Sequence, residues 1–212
     1  MALLRAKVGE EFVLDPLTTV LITVQVLING YMTVRYIQID MYIATTSIVF
    51  LLLTVAGLAL HQTFCGGVKF ASHISAGQFG NLLQGLLVGI VGVAVAQTVA
   101  FQLTPATALA WITVLERKAF YFSGAISEET FFRYFLQTKL HQSMPRLALS
   151  VPIIAFAVSL VFTTWHFGVY ANSVGSLMAV FCASVVLCVI YAWTRRLSVV
   201  QLIHAWVNFF AS

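Results

Sequence analysis

No Asp, Glu, Lys or Arg stands between Asp40 and Lys69, between Lys69 and Glu116, or between Arg146 and Arg195. Each of these gaps exceeds the roughly 20 apolar residues a helix needs to cross the hydrocarbon core of a bilayer. A water-soluble domain is about 25% charged, whereas this chain is 8% charged and 60% hydrophobic, so it cannot clothe its surface with polar groups. In lipid, helices satisfy their own backbone hydrogen bonds. The sequence therefore predicts an all-α, polytopic transmembrane helix bundle: one integral-membrane domain, residues 1–212, with little outside the membrane.

The candidate spans are residues 17–34, 41–64, 80–103, 119–137, 147–170, 176–194 and 198–210, about seven in all. The first is the weakest, with Gln25, Asn29 and Gly30 inside it. The third contains Gly85, Gly89 and Gly92, small residues that let helices approach closely. Residues 106–118 read as a short interfacial helix carrying Trp111 and the polar run Glu116-Arg117-Lys118. The sixth reads as featureless and apolar, and the seventh is short for a full span. With the N-terminus inside, Arg5, Lys7, Lys69, Lys139, Arg146, Arg195 and Arg196 gather on the cytoplasmic side and only Arg35, Arg117 and Lys118 on the other.

The formal net charge of +4 forms no basic stripe. The basic residues are loop charges that set topology, and no nucleic-acid partner is expected. Cys182 and Cys188 lie six apart in an apolar run, which suits neither a metal pair nor a helical disulfide. No secretory signal is expected at the N-terminus, and the C-terminal Phe-Phe-Ala-Ser is no prenylation signal. His61, His73 and His141 fall near expected loops and read as solvated.

Against this background three stretches stand out: Ser127-Glu128-Glu129-Thr130-Phe131-Phe132-Arg133, Phe162-Thr163-Thr164-Trp165-His166 and His204-Ala205-Trp206-Val207-Asn208. Ionisable side chains in a membrane segment are expensive, by roughly 2.5–3.5 kcal/mol on insertion scales, and mark functional sites. Glu129 and Arg133, four apart on a helix, can pair with each other. Glu128 points elsewhere, and a carboxyl left without a close cation suits a general base; the alternative is an acid bonded to a neighbouring helix. Phe162 and His166 share a face, as do His204 and Asn208.

Together these groups suit hydrolysis. In this reading Glu128 would take a proton from water, His166 would orient that water, and His204 with Asn208 would donate to the oxyanion. Zinc is the minority alternative, since two histidines and a glutamate can bind it, although the His-Glu-x-x-His motif is absent. Hydrogen bonding that merely locks helices together is the other reading.

In order along the chain, Glu128-Glu129-x-x-x-Arg133, Phe162-x-x-x-His166 and His204-x-x-x-Asn208 resemble the CAAX-processing and bacteriocin-processing (CPBP, or Abi) membrane proteases, which include the type II CAAX prenyl endopeptidases. The resemblance spans residues 120–210, with a motif-bearing core over 119–211. It implies a multi-pass intramembrane endopeptidase using a glutamate-activated water, with no cofactor. Glu128, His166, His204 and Asn208 would be catalytic, and Glu129, Arg133 and Phe162 supporting. The implied partners are a peptide or protein substrate, prenylated or not, and membrane lipids. The alternative function is a non-catalytic membrane scaffold or bacteriocin-immunity-like protein keeping the same core. The charge count places His166 nearer the non-cytoplasmic end, whereas the prenyl-protein proteases open toward the cytoplasm.

Overall fold

A computed structural model describes residues 15–65, 113–143, 150–170 and 173–211. Among these residues every regular element is helical. The elements are α1 (Pro16–Tyr36), α2 (Met41–Phe64), α3 (Val114–Glu129), a π-helical segment π1 (Thr130–Gln137), α4 (Thr138–Ser143), α5 (Ser150–Trp165), α6 (Phe167–Tyr170), α7 (Val174–Thr194) and α8 (Leu197–Ala211). Three of them, α1, α2 and α7, are long and apolar enough to cross a membrane by length and composition. Two shorter apolar helices, Ser150–Trp165 and Leu197–Phe210, accompany them. The expected span at 80–103, His73 and most of the expected interfacial helix lie outside the described residues.

Local chemistry explains the helix starts. Asp15 caps α1, accepting from the Thr18 backbone N–H at 2.8 Å, and Pro16 occupies the first turn, where its missing N–H costs nothing. Asp40 caps α2 through Tyr42 and Ile43. Thr113 and Glu116 form a reciprocal capping box at the start of α3. Glu116, Arg117 and Lys118 thus belong to the first turns of the helix that carries the acidic motif. Arg195 ends α7 in the left-handed conformation, φ 57°, and turns the chain directly into α8.

The polar residues that weaken α1 as a span by sequence are its inward face. Thr18, Gln25 and Asn29 are fully buried, while Val20, Leu27 and Val34 face outward. Gln25 accepts from the Thr54 hydroxyl of α2, and Asn29 accepts from Ser123 of α3. Such interhelical hydrogen bonds hold helices together where lipid removes any hydrophobic reason to associate. At the other end, Asp15 accepts from Ser198 at the start of α8 at 2.6 Å and sits 3.7 Å from Arg196. The first described helix is thereby tied to the last.

The α3–π1–α4 rod runs through the middle of the bundle, packing on α1, α2 and α8, while α5 packs on α7. Gly57 of α2 lies against its α-to-π junction: a Cβ there would sit 2.7 Å from the Thr130 carbonyl oxygen and 3.0 Å from Phe131 Cα. Only a glycine admits this approach.

Two expectations need correction. His61 is buried, its ring stacked on Tyr134 with centroids 3.7 Å apart, and His141 is buried beside Gln137. Neither is solvated: both lie on faces packed between helices. The run read as featureless also carries buried Ser184, which has a partner in the site. Cys65, Cys182 and Cys188 are free thiols; Cys188 packs in the core and Cys182 is exposed.

Candidate active site

Glu128 and Glu129 are the last two residues of α3, where the rod changes to π geometry. π-type turns inside helices recur at functional sites. The two acids, adjacent in sequence, serve different neighbours.

Glu129 is fully buried. Its Oε2 lies 3.1 Å from Arg133 Nε, a charge contact between residues four apart. Arg133 is also fully buried. Its guanidinium donates to Ser184 Oγ of α7 at 3.1 Å and lies 4.9 Å from the centre of the Phe162 ring. The cation is thus met by an acid, a hydroxyl and an aromatic face, all of which favour it. Glu129 Oε1 lies 2.9 Å from His204 Nδ1 of α8. An ionised carboxylate can only accept, so His204 Nδ1 carries the hydrogen and the ring's orientation is set.

Glu128 is 6% exposed and meets both histidines. Its Oε1 lies 3.7 Å from His166 Nε2, and its Oε2 lies 3.8 Å from His204 Nε2. Both gaps exceed a direct hydrogen bond but suit a bridging water. Trp165 Nε1 of α5 donates to Oε1 at 3.1 Å.

His166 occupies the turn where α5 ends, so the Phe162 carbonyl is free to accept a side chain. His166 Nδ1 donates to it at 2.9 Å. In the neutral ring this leaves Nε2, the atom facing Glu128, as an acceptor. The Phe162 ring sits 4.5 Å from the His166 ring, 5.9 Å from the His204 ring and 5.0 Å from Phe132. All three motifs meet around this one aromatic side chain.

The structure therefore brings Glu128, Glu129, Arg133, Phe162, His166 and His204 together from α3, π1, α5 with the turn that follows it, and α8. Asn208 lies one turn beyond His204, and its Nδ2 donates to the Tyr121 carbonyl of α3 at 3.4 Å. That bond uses one of its two amide hydrogens. No contact joins Asn208 to Glu128 directly.

Sequence reasoning missed Trp165 and Ser184, which touch Glu128 and Arg133. A hydroxyl alone in an apolar run and an indole beside the motif histidine were the available signals. For zinc, the donor set at hand is Glu128, His166 and His204; among the described residues no three His, Cys, Asp or Glu side chains are grouped closely enough to hold a metal ion.

Fold and site together define an integral membrane helix bundle with a carboxyl–histidine cluster inside it. A family model for type II CAAX prenyl endopeptidases, Rce1-like, matches residues 104–210, which contain every residue of the cluster. The chain belongs to this Rce1-like family of CAAX proteases. No curated protein and no solved structure matched.

Proposed function

We propose that the protein is a multi-pass intramembrane endopeptidase of about seven spans that hydrolyses a peptide bond of prenylated CAAX-type substrates with a glutamate-activated water. The single observation carrying this reading is the placement of the Glu128 carboxyl between His166 and His204, 3.7 and 3.8 Å away.

Glu128 and the neutral His166 Nε2 are both acceptors. A water held by its two hydrogens between them keeps its lone pairs free for attack. As the oxygen adds to the carbonyl carbon, one proton passes to Glu128. The new oxyanion then takes hydrogen bonds from His204 Nε2 and from the second amide hydrogen of Asn208. Because Nδ1 already donates to Glu129, His204 can donate through Nε2 only as the imidazolium. In that form the buried cluster holds two anions, Glu128 and Glu129, and two cations, Arg133 and His204. Collapse of the intermediate breaks the C–N bond, and Glu128 returns its proton to the leaving amine. Burial strengthens each of these hydrogen bonds, since removing one such donor costs roughly 10²–10³ in kcat in well-studied hydrolases. No cofactor takes part.

The test uses the purified chain with a farnesylated CAAX-type peptide and its unprenylated counterpart, with and without chelator. The expected result is cleavage of the farnesylated peptide, insensitive to chelator, and none by Glu128→Gln or His166→Ala proteins that remain folded. Full activity of Glu128→Gln rules out the base assignment. Chelator-sensitive cleavage with stoichiometric zinc replaces this mechanism with a metal-dependent one.

A further inference from the structure

The Glu128 carboxyl has one side-chain hydrogen bond among the described residues, and it comes from outside the three motifs. Trp165 Nε1 donates to Oε1 at 3.1 Å, while both histidines stand too far for a direct bond. We propose that Trp165 is a positioning residue: its indole N–H holds the Glu128 carboxylate in the rotation that presents its remaining lone pairs toward His166 and His204. This rests on the reading of Glu128 as the base.

Three features carry the inference. An indole has one donor and no acceptor, so the contact has a single sense and requires a lone pair of Glu128. Trp165 is 39% exposed, yet its polar edge is turned inward onto a carboxyl that is only 6% exposed. An indole acting as an interfacial anchor would turn that edge to headgroups and water. Finally, Trp165 is the last residue of α5, and His166 follows in the turn. One helix terminus thus delivers both the group that fixes the acid and the histidine that faces it. The Phe132 ring, 6.4 Å from the indole, packs beside it on the rod.

A glutamate has three rotatable bonds. Without a donor at Oε1, the carboxylate is free to swing off the line between the two histidines. Loss of one such constraint costs catalysis rather than substrate affinity.

The experiment uses the full chain in detergent or liposomes with a farnesylated CAAX-type peptide. Trp165→Phe keeps a ring and removes the donor. Replacement of Trp165 by 3-benzothienylalanine keeps the whole bicyclic shape and exchanges N–H for sulfur. Both are expected to lower kcat roughly ten- to a hundredfold, with KM held within about twofold and the thermal midpoint little changed. The indole ¹⁵N–H resonance of Trp165, assigned by its loss in Trp165→Phe, is expected to move in Glu128→Gln. Wild-type kcat in the sulfur analogue, alongside an inactive Glu128→Gln, overturns this inference and leaves the base assignment standing. A raised KM with unchanged kcat overturns it too, marking the ring as a substrate contact, and an unmoved indole resonance removes the hydrogen bond. An active Glu128→Gln overturns the base assignment itself, and this inference with it.

Discussion

His204 Nδ1 sits 2.9 Å from Glu129 Oε1, while its Nε2 faces Glu128 Oε2 at 3.8 Å. Two consecutive glutamates thus flank opposite edges of one imidazole, Glu129 bonded to it and Glu128 facing it. Glu129 also faces Arg133, so its loss leaves a buried guanidinium without its acid. Glu129→Gln is expected to destabilise the protein by roughly 3–5 kcal/mol, read as a lower thermal midpoint in detergent. Adding Arg133→Met removes the orphaned charge and restores much of that stability. Cleavage stays low in the double variant because the amide oxygen still accepts from His204 Nδ1 but no longer supplies the negative charge that supports the imidazolium.

The two residues of the last motif differ in what else they touch. His204 is held by Glu129 and faces Glu128, whereas Asn208 spends one amide hydrogen on the Tyr121 carbonyl. Peptide cleavage is therefore expected to vanish in His204→Ala and to fall by about 10²-fold in Asn208→Ala, the low end for loss of one oxyanion donor. Equal losses in the two variants would contradict this division.

Gly57 is expected to tolerate no side chain. Its Cβ would meet backbone, not a flexible side-chain tip: the Thr130 carbonyl at 2.7 Å, where α3 becomes π1. Gly57→Ala should cost about 1–3 kcal/mol by overpacking and displace the adjacent Glu129. Thermal unfolding and peptide cleavage measured on the same preparation would show both losses together.

His141 gives the fold an acid sensitivity. Burial, with Arg195 adding to it, pushes its imidazole down from 6.5 to about 4. The folded chain therefore resists a proton that the unfolded chain accepts near pH 6.5. The stability His141 confers is full above pH 6.5 and is lost progressively as pH falls toward 4. Thermal midpoints measured between pH 7.5 and 4.5 should decline less steeply in His141→Gln than in the wild type.

Much of the site was legible because lipid makes polar residues conspicuous. Glu128, His166 and His204 stand out in runs that otherwise hold almost nothing ionisable, and helical spacing pairs Glu129 with Arg133. Their convergence is tertiary, and no spacing within one helix reports it. Trp165 escaped because an indole in a membrane protein reads as an interfacial anchor, and only the direction of its N–H gives it another role. Ser184 escaped because one hydroxyl barely alters an apolar run. The polar residues of α1 weaken it as a span by sequence because hydropathy averages over both faces, and Gln25 and Asn29 occupy the inner one. Nearness to helix ends makes His61 and His141 read as solvated, although their rings turn into packed seams. The π geometry of 130–137 has no signature in residue type alone; the close approach of Gly57 is a backbone relationship.

The clasp between Asp15 and Ser198 has a consequence for biogenesis. The carboxylate that starts the first described helix meets its hydroxyl partner only after 183 further positions, and His204 follows six residues later. During synthesis, Glu128 and His166 therefore enter the membrane well before the imidazole that faces them. On the proposed mechanism, a nascent chain still lacking α8 is an inert precursor, and proteolytic competence arrives with the same insertion event that fastens the two distant helices together.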